Sequence, residues 1–363
     1  MSAPLFKKTR EAYRLFYPMA ALWAALSVLI WVAQYVGLHD FGMSSQDHAH
    51  EMIYGFALAV MTGFLLNGVK RINLYVLASI WILGRLVPFI ENSPTFLLPT
   101  LQLAFPIVLA LLVAVPLFKN AKTWRNLTFA PILAAFTLGE LIYQFAPDKG
   151  ILLGLNLTCA MVFMMGGRVV TAVTNGFMQK MDMHLKPGAQ SYWEEKGFFS
   201  LIILIIGDLS HIHFISFAGA LVLGVSLVMR IYRWEPLRFW KNPQCIWLHI
   251  GFSWLLAGII LRMIGFYIEG PFTILGIHTI TIAALGPLTL TIMSRTTLQR
   301  VRKPIHLPTT ILFSLGVINF GLFARILMET TDSITQWTWV SGTLFGCGYI
   351  LFLFWFFLTS KKK

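Results

Sequence analysis

The stretch His48-Ala49-His50-Glu51 opens an apolar run, Met52 to Leu66, broken only by Gly, Thr and the Tyr54 hydroxyl. Two imidazoles and a carboxylate at the mouth of such a run are costly to bury without partners. A metal or a haem iron is the partner that suits imidazole best. Residues two apart share neither a helix face nor a loop direction. His50 is therefore the inward-facing candidate ligand, with His48 at the helix entrance. Glu51 is placed to hydrogen-bond a ligand imidazole and set its tautomer, and it suits the positive end of a helix. The other candidate ligands are His278, which opens HTITIAALG, and His249, inside CIWLHIGFSW.

The elements that must position these groups are membrane helices. Of 363 residues, 57% are hydrophobic and 12% charged, with 30 Phe and 12 Trp. A soluble domain carries about 25% charged residues. The formal charge of +13 is spread over short loops rather than gathered on one face, which excludes a nucleic-acid partner. The first apolar run is too long for a cleavable signal. Cys159, Cys245 and Cys347 form no CxxC, so neither a disulfide framework nor a zinc ribbon is expected. Spanning-length runs occur at about 16–38, 50–68, 72–90, 97–118, 127–146, 150–169, 197–213, 214–232, 245–268, 274–294, 308–328 and 337–359. The expected fold is an all-α polytopic protein of about 12 transmembrane helices forming one integral membrane domain over 1–363.

Loop charge sets its orientation. All but four of the 28 basic residues (Lys149, Arg85, Arg262 and Arg325) fall on one side, so both termini are expected in the cytoplasm. Runs 2, 6 and 10 are small- and Thr-rich toward that side (AVMTGFLLNGV, GGRVVTAVTNG, LGPLTLTIMSRT). Runs 3, 7 and 11 carry a late charge (ILGRLV, IIGDLS, LFARIL). Three four-helix units would account for this pattern.

This orientation puts His48, His50, His278, Arg85, Arg262, Arg325 and Asp208 in one outer layer. An isolated charge in hydrocarbon costs at least about 2.5 kcal/mol, so a layered set reads as a shared site. His249 lies near the opposite face, some 20 Å or more away at about 1.5 Å per residue. Two sites, or one structural histidine, must follow. Arg is the natural partner of buried carboxylates such as haem propionates. Arg85, Arg262 and Arg325 are candidates in the outer layer, and Arg168 and Arg295 at the inner face. Pairing of these arginines with Asp208 or Glu140 is the structural alternative. His211 and His213 fit a surface turn, and His184 and His306 fit loops. Met178, Met181 and Met183 offer thioethers, which favour Cu(I).

Four strings carry a resemblance. DHAHEMIYGFALAVMTGFLL (47–66), GGRVVTAVTNG (166–176), WLHIGFSWLLAG (247–258) and HTITIAALGPLTLTIMSRTTL (278–298) resemble the motifs of the NnrS family of bacterial membrane proteins. The matching residues are His48, His50, Glu51, Arg168, Asn175, His249, His278 and Arg295. The resemblance implies an inner-membrane protein holding haem and copper, acting on nitric oxide or its metal-nitrosyl products and protecting against nitrosative stress. The chain departs from the family pattern at NGVKRIN (67–73), at Val170-Thr171, and at TTLQRVRKP (296–304), which lacks the usual glycine-histidine. A secondary transporter with a charged substrate path is the alternative, and a haem-based sensor or assembly partner is a third reading.

Overall fold

The computed structural model describes residues 8–9, 11–120, 122–183, 185 and 189–360. The protein is all-α apart from a two-residue antiparallel pairing of Lys8–Thr9 with Val69–Lys70. Among the described residues, nine helices are long and apolar enough to cross a membrane. These are α1 (Ala12–Tyr35), α3 (Arg71–Phe89), α4 (Leu97–Asn120), α6 (Pro147–Gln179), α8 (His213–Trp234), α9 (Pro243–Gly265), α10 (Phe272–Arg300), α11 (Thr309–Thr330) and α12 (Ile334–Ser360). The other three apolar runs are helical too. In α2, Ser45–His50, Glu51–Ala57 and Leu58–Leu65 follow one another without a break. α5 (Phe129–Tyr143) is short, and α7 (Ala189–Ser210) carries Glu194, Glu195 and Lys196 around its second turn.

Local chemistry fixes where the helices start. Ser44 caps α2 by accepting from the Asp47 backbone N–H, while the Asp47 carboxylate accepts from the Ser44 N–H. That reciprocal box satisfies two orphan donors and sets the register of His48 and His50. Asn242 caps α9 through Gln244 N–H, and Pro243 fills the first turn, where no donor is needed.

Several helices loosen into a π turn partway: α2 at Glu51–Ala57, α4 at Ala110–Ala114, α6 at Val162–Gly166 and α10 at Thr279–Leu285. Three of these four are the Thr-rich runs 2, 6 and 10 of the sequence pattern. Such turns re-aim side chains and are often functional.

The chain divides into two compact units. The first comprises Met1–Ser27 and Met43–Thr158, and the second Val28–Gly42 and Cys159–Lys363. Within the second, α7 and α8 form a hairpin whose turn needs a left-handed residue, supplied by His211 at φ 57°. Large side chains stay exposed along α11 and α12, among them Phe313, Phe320, Phe354 and Phe357. Rows of exposed aromatic residues on spanning helices are what lipid, not water, would cover.

Candidate functional site

In the first unit the capped start of α2 buries His50, 1% exposed, between two carboxylates. Nδ1 lies 3.2 Å from Glu51 Oε1, and Nε2 lies 2.9 Å from Glu140 Oε1. Tyr143 and Tyr54 stack on the ring at 4.4 and 5.0 Å. Glu51 Oε2 accepts from Trp23 Nε1 at 2.6 Å and faces Arg85 Nε at 2.5 Å. Gly55 makes this possible, because a Cβ there would lie 2.7 Å from Glu51 Oε2 and 3.0 Å from Trp23 Nε1. A neutral imidazole donates from only one nitrogen. Both nitrogens donate when the ring is an imidazolium, and then two carboxylates face two cations. Tyr143 donates to Asp47, and Tyr54 donates to the Gly150 carbonyl at 2.7 Å.

The structure places Glu51, expected from the sequence to orient a ligand imidazole, beside the His50 ring. Sequence reasoning gave Glu140 only as a partner for arginine, and it is the second clamp on His50. Its signal was a lone carboxylate in an otherwise apolar helix, FAPILAAFTLGELIY. His48 sits half-buried two residues nearer the helix start.

The second unit holds the other candidates. His278 Nδ1 lies 2.9 Å from the Ile274 carbonyl, one turn back along α10. Donation from Nδ1 makes Nε2 the acceptor atom of the ring, the tautomer of a metal-bound histidine. Arg262 pairs with Asp208 at 2.7 Å, both buried, and Arg325 pairs with Glu329 at 3.4 Å. His213 Nδ1 reaches the Phe266 carbonyl at 2.9 Å in an exposed turn. His306 is exposed in a loop, and the expectation for His184 lies outside the described residues.

His249 is the most enclosed histidine of this unit, 1% exposed. Its Nε2 lies 3.4 Å from Cys245 Sγ and 3.2 Å from Thr174 Oγ1, and its Nδ1 has no hydrogen-bond partner. Phe239 stacks on its ring at 6.1 Å and Trp234 touches it at 5.7 Å. Arg295 acts electrostatically on Cys245, while half-buried Arg168 follows the Gly166-Gly167 pair. Cys245 was missed because no CxxC was found. The readable signal was the Cys-x-x-x-His spacing, which puts both side chains on one helix face.

These environments fit an added cofactor unequally. His50 has both ring nitrogens engaged and Arg85 is held by Glu51, so haem ligation there would break the network. Arg262 and Arg325 already carry carboxylates, so they suit ion pairing better than propionates. His278 fits an axial imidazole by its tautomer. It lies within the first two turns of α10 and is half-buried. Among the described residues no group of three or more His, Cys, Asp and Glu is gathered in a metal-holding arrangement.

Comparison with known proteins gives one result. The family described as NnrS protein matches residues 8–361, nearly the whole chain, and the chain belongs to that family. No curated protein matches it.

Proposed function

We propose that this NnrS-family membrane protein holds haem and copper in the bacterial inner membrane and acts on nitric oxide or on the metal-nitrosyl species it forms. The observation that carries the haem assignment is the 2.9 Å contact from His278 Nδ1 to the Ile274 carbonyl. It presets Nε2 as an electron-pair donor and holds the ring against rotation. Haem, when bound, supplies an iron centre able to take nitric oxide. The chain's part is to present His278, to exclude water with apolar α10 neighbours such as Ile280, and to keep charged groups paired.

The test is the absorbance spectrum and the iron and copper content of purified protein. A Soret band is expected in the parent and in His306→Ala, and its loss in His278→Ala. Equal retention in both variants would overturn the axial assignment, and a parent without Soret band, iron or copper would overturn the function.

The buried His50–Glu51–Glu140–Arg85 network favours a second reading, a secondary transporter, because intramembrane ionisable clusters mark ion paths. Metal-free protein that still shows saturable solute uptake in proteoliposomes would select it.

A further inference from the structure

Two helices of the second unit each turn an i,i+4 pair toward the other. Thr174 and Met178 lie on α6, and Cys245 and His249 on α9. Residues four apart share a face, so each helix presents two side chains together. All four are at most 1% exposed. Met178 and Cys245 belong to one buried cluster with Phe239, and half-buried Met183 packs against it. The hydroxyl of Thr174 lies 3.7 Å from Cys245 Sγ and 3.2 Å from His249 Nε2, so thiol, imidazole and hydroxyl converge.

We propose that Cys245, His249 and Met178 form a binding site for a monovalent soft cation, Cu(I). This names the residues for the copper of the reading above and rests on that reading only for the metal's biological relevance. Spacing comes first. A d10 ion bonded at about 2.3 Å to sulfur and about 2.0 Å to nitrogen holds the two donor atoms about 3.5 Å apart when tetrahedral and about 3.7 Å apart when trigonal. Cys245 Sγ and His249 Nε2 are already 3.4 Å apart, so these two donors are spaced for the ion as they stand. Donor type comes second. Thiolate, imidazole and thioether together are a soft set that favours Cu(I) over hard ions.

Charge decides the valence. Binding replaces the Cys245 thiol proton: Cu⁺ and Cys–SH give Cu–S–Cys and H⁺, which leaves for the aqueous phase. No electron is transferred when copper arrives as Cu(I). The product is neutral, as a site shielded from water requires. A divalent ion on the same donors would leave a net positive charge. Arg295 already acts on Cys245, and Arg230 packs over Trp234, a ring that touches His249. These cations oppose Zn²⁺ and tolerate Cu⁺.

The experiment titrates the detergent-purified full chain with Cu(I) supplied as its bicinchoninate complex. The parent is expected to take up one equivalent with a mixed sulfur–nitrogen shell at the copper absorption edge. Affinity should fall by about 100-fold or more in Cys245→Ser and about tenfold in Met178→Leu, with His306→Ala unchanged. Met178→Leu nearly conserves volume, so it keeps the test valid if Cys245→Ser fails to fold. Parent-like copper affinity in every folded variant, or parent protein that prefers Zn²⁺, overturns the site. The Soret band is recorded on the same samples. Copper bound through sulfur without a Soret band upholds this site while haem fails, and a Soret band without copper uptake does the reverse.

Discussion

The residue at which charge is most finely balanced is His50. Its ring separates Glu51 from Glu140, with Arg85 on the far side of Glu51. Removing one partner from a buried ionic set costs about 3–5 kcal/mol, because the charge left behind has no water. His50→Ala leaves two carboxylates facing one cation and is expected to lose stability in that range. Glu140→Gln keeps an acceptor for Nε2 and removes one charge, so its loss should be nearer about 1–3 kcal/mol. The two groups touch, so the double variant should lose less than the sum of the singles. Unfolding titrations in detergent measure all three. Strict additivity would mean that His50 and Glu140 do not act on each other. Folded His50→Ala should keep a full Soret band, which separates a stabilising ring from a ligand.

At the scale of elements, α6 shows how one helix uses glycine for two ends. A Cβ on Gly167 would run into the Arg230 guanidinium, whose Nη1 donates to the Phe163 carbonyl at 3.0 Å and which packs 4.5 Å from the Phe163 ring. A Cβ on Gly176, nine residues on, would meet nothing within 4 Å. Gly167→Ala is therefore expected to destabilise by about 1–3 kcal/mol through overpacking. Gly176→Ala should be neutral or stabilising by up to about 1 kcal/mol through helix propensity. Thermal unfolding of the two variants side by side checks this, and the same sign for both would contradict it. The GGR string was legible as a motif, but its weight was placed on the charge of Arg168. The packing demand comes from Arg230, which is far off in sequence, so pattern alone had no access to it. π turns were equally out of reach, since these runs are apolar on most faces and a change of helical phase leaves little mark on their hydropathy.

At the scale of the whole chain, hydropathy and loop charge made the helices legible, because length and apolarity are local properties. The candidate site was legible only in part. Neighbours in sequence such as Glu51 on His50 could be read, whereas Glu140, 90 residues away, and Thr174 beside His249 depend on tertiary packing. Outer-layer depth grouped Arg85, Arg262 and Arg325, yet each of them has a carboxylate of its own in the fold. Depth along a helix says how far a charge lies from water and leaves open which partner it meets. Orientation, by contrast, rests on loop composition alone. Arg300 ends α10 and Arg302 and Lys303 follow it, while Glu329 and Asp332 lie around the junction of α11 and α12. Loops rich in Lys and Arg stay in the cytoplasm. A cysteine placed at Arg302 should resist a membrane-impermeant maleimide in intact cells and react after lysis. One placed at Asp332 should react in intact cells, because a single helix, α11, separates the two positions. Cys347 in the unsubstituted chain sets the background signal. Labelling of both from the same side would mean that α11 does not cross the bilayer, and exchanged labelling would invert the whole topology.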